Sequence, residues 1–173
     1  MSQAAARHAN PFELSRPTRA LVALACVGMS GALALALARM ATGVTPDLPA
    51  ARTLAVTLHI ATVVPAVPLG GWLLLARKGT ARHKLLGKVW VALMVVTALS
   101  AIFIRQLHHG ELSWIHIFVP LTLFGAWRAV ATARSGNIAA HKRQIVGMYL
   151  GALLIPGLFT FVPGRMMWVW LLG

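Results

Sequence analysis

Five long apolar runs, at residues 20–40, 53–76, 89–107, 113–133 and 145–162, constrain this chain more than any other feature. Each can cross a hydrocarbon core of roughly 30 Å as a helix rising about 1.5 Å per residue. Runs of this kind are not tolerated on a water-facing surface, so the chain reads as an integral membrane protein. Backbone polar groups in lipid must pair internally, which leaves helices or a closed barrel, and no period-2 alternation supports a barrel. The connections are short. The expected fold is therefore all-α, with five transmembrane helices, helices two to five forming an antiparallel four-helix bundle.

Charge supplies the orientation. There are 16 Lys and Arg against three acids, a formal net charge of +13. A basic chain first suggests nucleic acid, but nucleic-acid binders are polar, and no nucleic-acid partner is expected here. Twelve of the cations fall in the N-terminal tail (Arg7, Arg16, Arg19), the second connection (Arg77, Lys78, Arg82, Lys84, Lys88), and Arg128, Arg134, Lys142 and Arg143 around the fourth. The other side has Arg39, Arg52, Arg105 and Arg165, with Asp47 and Glu111. The positive-inside rule then makes the N-terminus cytoplasmic and the C-terminus external, as an odd number of spans requires. A bacterial inner membrane is the expected location. Residues 1–19 read as a cytoplasmic tail, 20–162 as the transmembrane domain, and 163–173 as an interfacial hook with Trp168 and Trp170 at headgroup level. A signal sequence is the alternative reading of the first span.

The scarcity of acids limits the chemistry. Glu13, Asp47 and Glu111 lie outside the apolar runs, and Cys26 is the only cysteine. No carboxylate pair, carboxylate proton relay, intrachain disulfide or thiolate cluster can form within one subunit. Membrane-embedded hydrolysis is disfavoured for the same reason. Seven histidines remain.

Four of them form a repeat. His59 is followed 18 residues later by Arg77-Lys78-Gly79 and then His83-Lys84; His116 is followed 18 residues later by Arg134-Ser135-Gly136 and then His141-Lys142. Each half is thus a helical hairpin with one histidine near its external start and another just past the cytoplasmic turn. His59 lies about 10 Å along the helix from Arg52 and shares the outer level with His116, while His83 and His141 share the inner level. Facing imidazoles in an apolar bundle suit b-type haem with two axial histidines, whereas zinc or copper would want three or four ligands at one level. Gly70, about 1,100° and roughly 16 Å beyond His59, falls on nearly the same face and would lie beside an inner haem. Gly87, Gly147 and Gly151 follow the inner histidines and would admit a porphyrin, or else serve close helix packing. Interfacial placement is the competing explanation for His83 and His141, whereas an ionisable group inside a span, as at His59, is functional by default. His8 is expected in solvent, and His108 and His109 in the external connection, where either is an alternative to His116.

Four histidines on helices two to five, paired two-with-four and three-with-five, resemble the cytochrome b561 superfamily of dihaem transmembrane electron carriers over roughly residues 53–162. The local wording Arg77-Lys78-Gly79, His83-Lys84-Leu85-Leu86-Gly87 and His141-Lys142-Arg143 is similar to a family of uncharacterised bacterial membrane proteins of about this size. The superfamily resemblance implies an external haem on His59 and His116 and a cytoplasmic one on His83 and His141, two haems being expected and one allowed. The first helix would be a peripheral addition. Transmembrane electron transfer is the implied function, with the chain a possible oxidoreductase, no catalytic side chain, and an anionic or quinol-type donor and an unspecified acceptor as partners. Arg77, Lys78, Arg82, Lys84 and Lys88 form the expected donor-docking surface, and Arg128 is placed to meet a haem propionate. A homodimer is allowed. The alternative is a non-enzymatic carrier or assembly subunit whose histidines line a polar path or bond between helices.

Overall fold

A computed structural model describes residues 14–105, 111 and 113–173. Arg7, His8, Glu13, His108 and His109 lie outside the described residues. Helix α1 (Arg16–Ala41) starts at Ser15, whose hydroxyl accepts the Thr18 N–H, with Pro17 in the first turn, where its missing N–H costs nothing. Helix α2 (Leu54–Leu75) follows a 3-10 turn at Pro49–Arg52, and α3 (Ala81–Ala101) starts at the Thr80 cap. A second 3-10 turn (Trp114–Ile117) leads into α4 (Phe118–Arg134). Four helices are long and apolar enough to cross a membrane: Arg16–Ala41, Leu54–Leu75, Ala81–Ala101 and Trp114–Arg134. Among the described residues there is no strand.

The fifth apolar run is a composite rod. Helix α5 (Ile138–Gly147) passes into a π-helical segment (Met148–Leu154) and then into α6 (Ile155–Phe159). Pro156 is the physical cause we identify, because it cannot donate to the carbonyl four residues back and so breaks the α-helical ladder. The rod also begins seven residues before the apolar run, at Ile138, directly after the Asn137 cap.

The two hairpin turns match the sequence repeat. Gly79 and Gly136 have φ of 82° and 71°, the left-handed conformation that side chains resist, and each is followed directly by a capping residue, Thr80 or Asn137. The repeat departs from symmetry one step later. His83 is the third residue of α3, whereas His141 is the fourth of α5. That single residue rotates the second imidazole by about 100° relative to the first.

Helix α2 packs against α1 and α3, α4 against α3 and α5, and the π segment against α1, α2 and α4. Helix α1 is not peripheral: Val22, Met29, Leu33 and Ala36 are buried in the common core. At the centre, the Trp90 indole donates to the Ala66 carbonyl at 2.9 Å and the Tyr149 hydroxyl to the Val67 carbonyl at 3.1 Å.

Helix α7 (Met166–Leu172) folds back on α1. Arg39 holds it there, donating from Nε to the Trp170 carbonyl at 3.2 Å and from Nη2 to that of Gly173 at 2.9 Å. Trp170 is consequently buried in the core rather than presented at the surface; Trp168 is half-buried.

Candidate functional site

The end of the molecule carrying connections 42–53 and 160–165, called outer after the charge reading, contains a cavity of about 680 Å³. That is within the range of small-molecule and cofactor sites. Its walls come from α1 (Met29, Leu33), α2 (His59, Val63), α3 (Met94, Thr97), the turn before α4 (Ser113, His116), the π segment (Ala152, Leu153) and α7 (Met166, Met167). His59 and His116, from separate halves of the repeat, therefore share one apolar chamber. Among the described residues no carboxylate lines it.

Each imidazole is held through Nδ1. That of His59 lies 3.0 Å from the Thr97 carbonyl and 3.2 Å from Ser100 Oγ. A carbonyl can only accept, so the ring donates from Nδ1 and leaves the Nε2 lone pair for another partner. His116 Nδ1 accepts the Ser113 N–H at 3.0 Å in a capping box and lies 3.1 Å from the carbonyl of the same residue; its buried Nε2 has no hydrogen-bond partner. His141 repeats the pattern at the inner level, with Nδ1 2.9 Å from the Ala129 carbonyl on α4. Metal-ligating histidines are commonly oriented in this way, by a main-chain carbonyl at the nitrogen remote from the metal.

His83 differs. Its Nδ1 is buried without a partner, and Lys78 and His141 lie within electrostatic range. The inner pair is asymmetrically held, with Nδ1 of His141 on a carbonyl and that of His83 unpartnered. Among the described residues no three His, Cys, Asp or Glu side chains gather as a metal site would need; the histidines come in pairs.

The glycines divide differently from the sequence expectation. A Cβ on Gly70 would lie 2.5 Å from Trp90 Nε1 and 2.7 Å from the Tyr149 ring, so that space holds an indole and a phenol, not the edge of a macrocycle. The spacing from His59 singled out Gly70 but could not see which aromatic groups pack over it. Gly87, Gly147 and Gly151 have nothing within 4 Å of such a Cβ and do not mark a close approach within the chain. Arg128 is exposed, its guanidinium 5.9 Å from the Phe124 ring centroid, and does not line the cavity. Of the basic connection, Arg77, Lys84 and Lys88 are exposed, Arg82 lies over the Trp72 ring at 5.2 Å, and Lys78 bonds to the Leu74 carbonyl.

One cavity residue was read from sequence only as a topological charge. Arg165, just after the Pro163-Gly164 turn, lines the chamber with His59 and His116. The signal available was a cation placed directly after a chain reversal at the outer level.

Two imidazoles lining one largely apolar chamber, His59 with its Nδ1 on a carbonyl and His116 with its Nε2 unpartnered, form a donor set compatible with haem b at the outer level. At the inner level the donor pair is present, but the expected neighbouring space at Gly70 is filled.

These features define a multi-pass, all-helical membrane protein with a histidine-bearing cavity. Residues 56–167 match the model of the family described as Predicted membrane protein (DUF2306), and the chain belongs to that family. No curated protein and no solved structure matches it.

Proposed function

We propose that this protein carries electrons across a bacterial inner membrane through b-type haem, which His59 and His116 would hold at the outer level and His83 and His141 at the inner. In this reading the composite rod is a fifth span, the N-terminus is cytoplasmic and the C-terminus external. The observation that carries the proposal is the shared outer cavity, lined by one histidine from each half of the repeat, with His59 Nδ1 held by the Thr97 carbonyl and His116 Nε2 buried without a protein partner. Haem bound there supplies reversible one-electron chemistry, with a potential set by its ligands, burial and nearby charge.

The chain's own contribution is orientation and exclusion of water. Thr97 and Ser113 turn the rings, while Met29, Leu33, Val63 and Met94 keep the chamber apolar. The exposed cations Arg77, Lys84 and Lys88 at the inner turn suit an anionic donor or the headgroup region of a quinol-bearing bilayer.

One contact favours a second reading. The Ser113 N–H donates to His116 Nδ1 at 3.0 Å, which in a neutral ring puts the proton on Nε2 and makes that atom a hydrogen-bond donor rather than a ligand. A carrier or assembly subunit with a polar ligand in the cavity would use His116 in that form. A pyridine haemochrome assay on detergent-purified protein, expressed with ample haem, separates the two. The haem reading expects two haems per chain, falling to about one in His59→Ala and in His83→Ala. Absence of haem from the wild type refutes it, and full retention in both variants refutes the ligand assignment.

A further inference from the structure

We propose that Arg165 binds a carboxylate of the haem side chains in the outer cavity, so that the macrocycle is held at its edge as well as at its iron; this rests on the haem reading above. Arg165 is placed by the backbone on either side of it. Gly164 takes φ of 82° to reverse the chain, the Arg165 N–H bonds to the Val162 carbonyl at 3.0 Å, and the Val169 N–H bonds back to the Arg165 carbonyl at 3.0 Å. The side chain is half-buried in the wall of the chamber that contains both histidines.

The other cations at this end are otherwise engaged. Arg39 grips the carbonyls of Trp170 and Gly173, Arg52 pairs with Asp47 at 2.7 Å, and Arg105 donates to the Ile102 carbonyl. Asp47 is thereby occupied, and Glu111 does not line the cavity. Arg165 is the only cationic side chain among the lining residues described, and among those residues it faces no acid. A cation drawn into an apolar wall without a counter-charge is unfavourable. A ligand that brings its own anion removes that cost, and the guanidinium fork matches a carboxylate in particular.

The chamber therefore requires three things of its occupant: an apolar body, a centre that imidazole can ligate, and an anionic edge. Haem b has all three, with its two carboxylates on one edge. Arg165 would hold a haem carboxylate there, through its guanidinium. Arg128, the residue expected from sequence to meet a propionate, is outside this chamber.

The test compares haem b with its dimethyl ester, in which both carboxylates are masked. Each is titrated into the full-length, detergent-purified apoprotein, and binding is followed by the Soret band. The wild type is expected to bind the free acid about tenfold more tightly than the ester, the scale of one charge-assisted hydrogen bond. In Arg165→Gln that preference collapses toward unity while ester affinity is kept, and Arg165→Lys restores part of it. An undiminished preference in Arg165→Gln overturns the proposal. If that variant does not fold, the wild-type comparison decides: a tenfold preference supports the assignment and no preference overturns it. A wild type that binds neither compound refutes the haem reading itself, an outcome distinct from failure of Arg165.

Discussion

At the scale of single residues, the informative atoms are the ones without protein partners. His116 Nε2 and His83 Nδ1 are buried and unpaired, whereas nearly all buried polar groups in folded proteins find a partner. Such an atom on an imidazole invites a ligand, and the sequence singled out both residues through their spacing alone. The same spacing argument could not separate Gly70 from Gly87. Gly70 is occupied space: the indole that bonds to Ala66 and the phenol that bonds to Val67 pass over it. Gly70→Ala is therefore expected to lower stability by about 1–3 kcal/mol through overpacking. Gly87→Ala meets open space inside α3 and should gain up to about 1 kcal/mol of helix propensity. Thermal denaturation in detergent checks both, and equal effects in the two variants would contradict this division.

Elements were legible where the residues that start and stop them are local. Thr80 and Asn137 cap their helices by accepting the His83 and Ala140 N–H groups, and the positive-φ glycines before them close the turns, so the hairpin repeat could be read from spacing. The fifth element was not legible in detail. Its π segment depends on Pro156 together with the packing of Tyr149 into α2, a contact 82 residues apart in sequence. The seat of helix α7 on α1 was not legible for a similar reason, since it is held by the distant Arg39. The caps make a direct test. Asn137→Ala is expected to cost about 1 kcal/mol and to loosen the turn that presents His141 to the Ala129 carbonyl. Thr80→Ala should cost a similar amount. Urea or thermal unfolding measures both; no loss in Asn137→Ala would mean that the His141 contact with α4, rather than the cap, holds the turn.

For the whole molecule, charge and cavity point the same way along the helices. The cation-rich turns at Arg77–Lys88 and Arg134–Arg143 lie at the end opposite the chamber, which is bordered by the connections carrying Asp47 and Arg165. If the excess of cations orients the chain, the cavity lies toward the external side and the cation-rich turns toward the cytoplasm. The proposed electron path needs that separation of ends. Two exposed positions report on it, Asp47 in the connection after α1 and Ser135 in the turn after α4. In a Cys26→Ser background, which removes the chain's only thiol, Asp47→Cys should react with a membrane-impermeant maleimide in intact spheroplasts. Ser135→Cys should react only after the membrane is permeabilised. The opposite pattern would invert the protein and place the histidine cavity on the cytoplasmic side. Labelling of both positions in sealed spheroplasts would show that the two ends are not separated by the bilayer, and the transmembrane path would fail with it.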